Sequence, residues 1–428
     1  MVEIIIPFLL LFLFFVLGMP VALCLGLSGA VGLYMAGGLD SLLGVFETTP
    51  FSSVASYGLV VAPMFILMAE FLSASNLIKD FFKAANKWLG SLPGGLGIAT
   101  VFVGAILGAL SGSSTASAAT LSSAAVPEMK KYGYDSKLVM GTVSISGTLS
   151  ILIPPSTILI IYGIITESPI DKLFVAGIIP GILTAIGFAL VVVVWALRKP
   201  EDAPRISAVP MREKLESLNL LWPIIILMAL VFTGIYTGFV TITEAAGLAA
   251  FGAFIIPLIM KRFTIQSINN ALNRSLKTTT MIFTIIISGH IYGYYLAITQ
   301  VTQKLVGFVG GLDVSKWVIM MVIVCVYLIL GFFMDQIAIL LLTLPLTFPV
   351  AMSLGFNPIW FGIIVAKTAE IGLCTPPLGL NVFVACGTVK EKISTGFKGV
   401  TPFVIVDLVI LLVLIFIPMI SLFLTGNM

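Results

Sequence analysis

Charged residues and metal-binding side chains are scarce in this chain of 428 residues. Asp, Glu, Lys and Arg make up 10% of the sequence, whereas a soluble domain has about 25%. The one histidine, His290, excludes a metal centre built on histidines, and the four cysteines lie in apolar segments without metal-ligand spacing. The GxSxG, HExxH and Walker patterns are also absent. The sequence therefore predicts neither an enzyme nor an ATPase.

Apolar residues take the place of charge. They form 59% of the sequence, the mean hydropathy is +1.17, and the net charge is only +3. Apolar runs long enough to cross about 30 Å of hydrocarbon recur along the chain. The start shows neither a basic stretch nor a small-residue cleavage site, so no cleaved signal peptide is expected. These features predict a polytopic α-helical membrane protein.

One set of landmarks occurs twice, 222 residues apart. The first copy is Ser113-Ser114, Pro127, Gly133-Tyr134 and Pro154-Pro155, and the second is Asp335-Gln336, Pro349, Gly355-Phe356 and Pro376-Pro377. Two adjacent prolines break a helix because they remove backbone donors and clash with the preceding turn. In hydrocarbon, such a break is tolerated where it lines a cavity or binds something. Paired interrupted helices in corresponding halves indicate the binding site of a secondary transporter.

Ten membrane crossings are expected, five in each half, and two of them are broken at the Pro-Pro pairs. The predicted spans are 4–18, 20–37, 56–75, 138–166, 173–197, 219–237, 240–260, 278–299, 358–388 and 402–424. Segments 96–127 and 318–350 are interrupted midway and are expected to form re-entrant helical hairpins. Segments 76–92 and 300–316 mix lysine with apolar residues at helical spacing and are expected to lie along the interface.

The basic residues predict the orientation of these spans. The segment 198–218 holds five Lys and Arg residues, which places it in the cytoplasm. An odd number of crossings in each half then gives two inverted repeats with both termini in the periplasm. The predicted organisation is a first repeat 1–197 (scaffold 1–92, transport hairpin and broken helix 93–197), a cytoplasmic linker 198–218 and a second repeat 219–428 (scaffold 219–316, transport part 317–428).

The hairpin tips and the Pro-Pro breaks carry the groups that could bind ions. The tip at 111–117 offers hydroxyls and carbonyls, which are hard oxygen ligands for a small cation. Its alternative is a packing face of small residues. Each break exposes carbonyls and a half-helix N-terminus, which suit a cation and an anion side by side. The alternative of two packing kinks does not explain why both recur at one offset.

Ionisable residues at membrane depth are further candidates. Asp335 occupies the second tip and is expected either to ligand an ion or to cap a helix. Lys367 and Glu370, three residues apart on a helix, are expected to neutralise each other rather than to contact substrate. Glu70 and His290 occupy similar places in their halves, with a proton relay or a satisfied hydrogen bond as the alternatives.

These motifs resemble the large membrane subunit (DctM or SiaM type) of TRAP transporters, the tripartite ATP-independent periplasmic transporters. The resemblance covers the whole chain and rests on Gly112-Ser113-Ser114, Pro127-Glu128-Met129, Gly133-Tyr134, Leu152 to Ser156 and Thr375 to Asn381. It implies a sodium-driven elevator transporter in a bacterial inner membrane. A separate four-helix membrane subunit and a soluble periplasmic binding protein would be its partners. The substrate would be an organic acid, sialic acid first and C4-dicarboxylates next, without an organic cofactor or a nucleic-acid partner.

The same resemblance implies two sodium sites, each between a tip and the neighbouring break, and leaves a third open. The implied ligands are Ser113, Ser114, Gly147, Ser150 and Pro154 in the first half and Met334, Asp335, Gly372, Thr375 and Pro376 in the second. The implied substrate contacts are Ser113, Thr115, Ser156, Asp335, Pro377 and Asn381. Three alternatives remain open: a stand-alone sodium/organic-anion symporter, a non-transporting membrane scaffold, and a channel.

Overall fold

The structure, a computed structural model, describes residues 2–75, 77–207, 209–219 and 221–427, without the side chains at 78, 79, 109–111, 236 and 427. Every regular element in these residues is a helix, which confirms the all-α prediction. The first half contains α1 (Val2–Val16), α2 (Val21–Ser52), α3 (Val61–Ala74), α4 (Leu77–Leu89), α5 (Gly95–Ser111), α6 (Ser114–Lys131), α7 (Ser136–Ser146), α8 (Thr157–Thr166) and α9 (Ile170–Arg198).

A short helix, α10 (Met211–Leu218), precedes the second half. That half contains α11 (Trp222–Tyr236), α12 (Ile242–Ile259), α13 (Ile265–Ile298), α14 (Val301–Gly310), α15 (Lys316–Gly331), α16 (Gln336–Ser353), α17 (Pro358–Gly372), α18 (Leu380–Val389), α19 (Ile393–Phe416) and α20 (Met419–Leu422). The order of helices α1–α9 thus recurs in α11–α19.

The repeat extends to the residues that start the helices. The side chain of Asp135 accepts the backbone N–H of Lys137 (2.8 Å) and begins α7. The side chain of Asn357, 222 residues later, accepts the N–H of Ile359 (2.8 Å) and begins α17. An oxygen at this position satisfies amide groups that the first helical turn leaves unpaired. Both broken helices therefore begin for the same local reason.

Three predicted spans differ clearly from the observed helices at their ends, and one of them, 402–424, corresponds to α19, which begins at Ile393 and ends at Phe416. The predicted span 20–37 ends where Gly38 takes a left-handed φ of 71°, but helical turns resume beyond this kink as far as Ser52. The predicted span 278–299 begins 13 residues earlier in the structure, at Ile265, because Thr264 and Ser267 form a reciprocal capping box. Hydropathy identified the apolar part of α13 and missed its polar extension.

Seven helices in the described part of the chain are long and apolar enough to cross a membrane: 21–52, 57–74, 170–198, 242–259, 265–298, 336–353 and 393–416. One of the seven is α16, the predicted second arm of a hairpin. It follows α15 after only four residues, and length alone does not separate a span from such an arm. Helices α7 and α8 have 11 and 10 residues, so neither half of the first broken helix spans a bilayer by itself. In the second broken helix, α18 has 10 residues and is also too short.

The two broken helices contact α19 near its opposite ends. An ideal Cβ atom on Gly141, in α7, would lie 2.3 Å from the carbonyl carbon of Gly399, near the start of α19. Trp360, near the start of α17, donates its Nε1–H to the carbonyl of Leu414 (2.9 Å), near the end of α19. An inverted repeat requires this relation. The orientation in a bilayer and the domain boundaries stay predictions.

The two halves interlock through their hairpins. Helix α6 packs on α18 and helix α16 packs on α8, so each hairpin arm lies on the other half's shorter helix. The ammonium group of Lys130, at the end of α6, pairs with Glu391 after α18. The hydroxyl of Tyr162, in α8, donates to the carbonyl of Pro358 (2.6 Å), the first residue of α17. Among the remaining helices, α2 packs on α13 and α3 on α12.

Candidate functional site

Both hairpin tips face one cavity of about 370 Å³. Ser113, Ser114 and Thr115 line it from the first tip, and Asp335 lines it from the second. The opposite wall belongs to α3 and α13, through residues that include Glu70, Ser73 and Thr278. The structure therefore brings together, in one place, tip residues that are 222 positions apart in the chain.

The first tip is held against its own Pro-Pro break. Gly112 ends α5 in a left-handed conformation (φ 58°), and its carbonyl accepts the hydroxyl of Thr157 (2.5 Å) at the start of α8. Ser113 then caps α6, since its Oγ accepts the N–H of Ala116 (3.4 Å). The tip consequently presents the N-terminus of α6 to the cavity.

The second tip is built around a carboxylate. Asp335 Oδ1 accepts the backbone N–H groups of Ile337 (3.0 Å) and Ala338 (3.2 Å), so Asp335 caps α16. The expected capping role is confirmed, and the same side chain also lines the cavity. Both tips thus place a helix N-terminus at the cavity, which favours a bound anion.

The first set of implied sodium ligands lies where tip and break touch. An ideal Cβ on Gly147 would lie 2.7 Å from the carbonyl oxygen of Ser114, and one on Gly108 would lie 2.5 Å from Ser150 Cα. The Ser150 hydroxyl is buried, and no hydrogen-bond partner for it occurs among the described residues. An orphaned oxygen beside crowded backbone carbonyls fits a small hard cation. Pro154 is buried as well, but it lines a separate apolar cavity beside Phe174.

The implied sodium ligands of the second half are less enclosed than those of the first. Gly372 meets Gly331, at the end of the arm that leads to the second tip, with an ideal Cβ only 2.5 Å from Gly331 Cα. The Thr375 hydroxyl donates to the carbonyl of Ile371 (2.7 Å), which leaves its oxygen lone pairs available to a cation. Two further members are less enclosed: Met334 is half-buried, and Pro376 is exposed.

Three of the six implied substrate contacts line the cavity, namely Ser113, Thr115 and Asp335. The other three lie elsewhere. Ser156 is buried and caps α8 through the N–H of Leu159 (3.3 Å), and Pro377 is exposed outside the cavity lining. Asn381 is fully buried behind the first tip, where its Nδ2–H donates to Ser114 Oγ (2.6 Å). Whether any of the six touches substrate stays a prediction.

The wall formed by α3 and α13 contains groups that the motifs did not identify as site residues. Glu70 and Thr278 line it, and Arg274 lies 3.9 Å from the Glu70 carboxylate. The sequence did mark Glu70 as an ionisable residue at membrane depth, and only its place in the cavity was missed. His290 lies in a different cavity and pairs with Ser53 (Nδ1 to Oγ, 2.7 Å), which favours the hydrogen-bond alternative over a relay with Glu70.

A buried ionic cluster lies apart from this cavity. The Lys367 ammonium lies 3.3 Å from Glu370 Oε1, as the spacing predicts, 2.5 Å from Asp407 Oδ1 and 2.9 Å from Thr184 Oγ1. All four side chains have no exposed surface. The three partners use the three donors of the ammonium group. Lys367 therefore holds α17 to α9 and α19 and has no donor left for a substrate.

The fold is similar to that of solved membrane transporters. The YdaH transporter of Alcanivorax borkumensis superposes with a TM-score of 0.63 at 15% identity, covering 90% of each chain. MtrF of Neisseria gonorrhoeae, described as one of a class of antimetabolite efflux pumps, superposes with a TM-score of 0.61 at 16% identity over 96% of this chain and 94% of its own. At these identities the likeness concerns the fold alone.

Residues 8–420 match the family described as "Tripartite ATP-independent periplasmic transporter, DctM component", and the chain belongs to this family of large TRAP permeases. The C4-dicarboxylate TRAP large permease DctM of Pseudomonas aeruginosa is 37% identical, covering 93% of this chain and 92% of its own. The sialic acid TRAP permease SiaT of Haemophilus influenzae is 30% identical over 87% of this chain and 60% of its own. Both are named as permeases, which confirms the prediction of a transporter rather than an enzyme.

Proposed function

We propose that this chain imports an organic acid, coupled to sodium, after a periplasmic binding protein has delivered the substrate. One observation carries the proposal: two hairpin tips, each packed on its own Pro-Pro break, converge on a single cavity. A pair of broken helices in corresponding halves is the arrangement in which secondary transporters bind substrate and coupling ions.

Electrostatics favours a cation as the coupling partner. Asp335 and Glu70 line the cavity, and none of the described residues that line it is a Lys or an Arg. Glu70 has Arg274 beside it (3.9 Å), whereas Asp335 has no cationic side chain among the lining residues, and its carboxylate repels an anionic substrate unless cations and helix N-termini compensate. Two or three sodium ions at the tips and breaks would supply that charge. Ser150, with its orphaned hydroxyl, and the carbonyl of Ser114 would hold the first of them.

The packing also supports an elevator movement. The reciprocal contacts of α6 with α18 and of α16 with α8 tie both hairpins and both broken helices into one block. Helices α2, α3, α12 and α13 pack among themselves, and α3 and α13 form the wall that faces the tips. A rigid block beside a separate wall can move as a unit and carry the cavity with it.

The remaining elements of the proposal concern partners, place and substrate. The partners are a small four-helix membrane subunit and a periplasmic binding protein, and the place is a bacterial inner membrane with both termini in the periplasm. Relatives of similar identity carry different substrate names, including isethionate for the DctMQ permease of Oleidesulfovibrio alaskensis, 32% identical over 97% of this chain and 65% of its own. The relative at 37% identity is named for C4-dicarboxylates. We therefore propose that C4-dicarboxylates and sialic acid are the first substrates to test.

Uptake into liposomes tests the proposal. The chain is reconstituted with its small subunit and candidate binding proteins, and labelled C4-dicarboxylate and sialic acid are offered with an inward sodium gradient or with choline in place of sodium. Uptake that requires sodium and the binding protein is expected. Equal uptake in choline would refute sodium coupling, and sodium-driven uptake without the binding protein would establish the stand-alone symporter instead.

A further inference from the structure

We infer that Asn381 couples the two proposed sodium sites, because it joins the second Pro-Pro break to the first hairpin tip. The inference rests on the proposed sodium-driven function. It also gives Asn381 a role different from the substrate contact that the family resemblance implies, since Asn381 is fully buried and does not line the cavity between the tips.

The backbone of Asn381 belongs to the second break. Its N–H donates to the carbonyl of Leu373 (3.0 Å) and so closes the loop between α17 and α18. This loop contains Thr375 and Pro376, two of the implied ligands of the second sodium ion. A cation bound to the loop would therefore fix the position of Asn381, which is the second residue of α18.

The side chain of Asn381 belongs to the first site. Its Nδ2 group donates to Ser114 Oγ (2.6 Å) and faces the carbonyl of Ser144 at 3.5 Å, so both amide hydrogens point toward the first half. Ser114 is 3% exposed, and its own carbonyl faces Gly147 at the first break. One side chain thus spans from the loop of the second site to a residue of the first.

The hydrogen bond from the second break to the first tip has no counterpart between the first break and the second tip among the described residues. The residue 222 positions before Asn381 is Leu159, and the residue 222 positions after Ser114 is Gln336. Leu159 has no polar side-chain atom, and Gln336 Nε2 is buried without a partner among the described residues. The second tip therefore lacks the hydrogen bond that holds the first, and Asn381→Leu places the first half's own residue at the equivalent position.

A shared bond of this kind makes ion binding cooperative. If sodium at the second break orders Asn381, then Asn381 holds Ser114 in place for the first ion, and by thermodynamic reciprocity each ion raises the affinity of the other. Couplings between sites in proteins correspond to factors of about 5 to 150 in affinity. Loss of the bond should lower the affinity for the second ion by a factor in this range.

Sodium titrations of the purified complex test the inference. The Tm of the chain with its small subunit is followed against sodium, with choline keeping the ionic strength constant, and uptake is measured in parallel. We expect a Hill coefficient above one for the unmodified chain and close to one for Asn381→Leu. Asn357→Ala is the matched control, because it removes an asparagine that caps α17 far from the tip. It should lower Tm and keep the Hill coefficient.

A second variant tests the same hydrogen bond in case Asn381→Leu fails to fold. Ser114→Ala removes the acceptor of the bond and keeps the backbone carbonyl, and the double variant should be no less cooperative than either single one. An unchanged Hill coefficient in Asn381→Leu, or a coefficient of one in the unmodified chain, would overturn the inference and leave sodium coupling standing. A raised KM for substrate with unchanged cooperativity would make Asn381 a substrate contact. If sodium affects neither Tm nor uptake of the unmodified chain, sodium coupling itself fails, and the inference fails with it.

Discussion

Lys367 on α17 and Asp407 on α19 approach to 2.5 Å, nitrogen to oxygen, and neither side chain has any exposed surface. The sequence assigns no role to Asp407, 40 residues further along the chain. The contact attaches the broken helix of the second half to the helix along which both broken helices lie.

Removal of the lysine should destabilise the chain strongly. Lys367→Met leaves the carboxylates of Asp407 and Glu370 buried without their cation, and breaking a buried pair in this way costs about 3–5 kcal/mol. Thermal unfolding of the purified complex should show a much lower Tm for this variant than for the unmodified chain. The exposed Lys398→Met should behave like the unmodified chain, and adding Asp407→Leu to Lys367→Met should recover part of the loss. A Lys367→Met variant as stable as the control would contradict the role of the cluster.

The contact between α6 and the end of α18 should depend on pH. The hydrogen bond from Lys130 lowers the pKa of Glu391 below its ordinary value of 4.5. Because the folded-state pKa is the lower one, the contact stabilises the fold above pH 4.5, and this stabilisation is lost as the pH falls through the folded-state pKa. Glu391→Gln should therefore lower Tm slightly at pH 7, and this difference should shrink as the pH falls through the folded-state pKa of Glu391. The effect is small because both side chains are partly exposed, and Glu201→Gln serves as the exposed control.

Gly112 should tolerate no side chain. Its left-handed conformation disfavours alanine by about 1–2 kcal/mol, and an added Cβ would lie 2.8 Å from Thr157 Cγ2. Gly112→Ala should therefore displace the first tip and abolish uptake. Gly355→Ala is the matched control, since Gly355 has a φ of 76° with nothing within 4 Å of an added Cβ. If both variants transport equally, the packing of the tip on its break has no role in transport.

The Ser150 hydroxyl offers a direct test of the first sodium site. It is buried without a partner among the described residues, so Ser150→Ala should leave the Tm without sodium unchanged or slightly raised. If this oxygen ligands sodium, the concentration for half-maximal stabilisation by sodium should rise about tenfold, which corresponds to roughly 1.4 kcal/mol. Ser122→Ala removes another buried hydroxyl, which donates to Ala118, and should leave the sodium response as it was. If Tm depends on sodium concentration in the same way for Ser150→Ala and the unmodified chain, Ser150 is not a sodium ligand.

Local chemistry is what made much of the fold predictable. A Pro-Pro pair breaks a helix wherever it stands, so the sequence located both breaks, and apolar runs located the spans. The caps at Asp335 and Asn357 also depend on neighbouring residues alone. The ends of α2 and α13 were harder to predict, because helical turns resume after the kink at Gly38 in α2, and a capping box starts α13 before its apolar part.

The sequence by itself determined the membrane class, the repeat, the positions of tips and breaks, and the family. Only the tertiary structure decided which of these parts meet. Asn381 reaches Ser114 across 267 positions, Lys367 reaches Thr184 across 183, and Glu70 faces the opposite half's Asp335 in one cavity. The physical reason is that each hairpin packs on the shorter helix of the other half, and such contacts between halves leave no periodic or local signal in the chain.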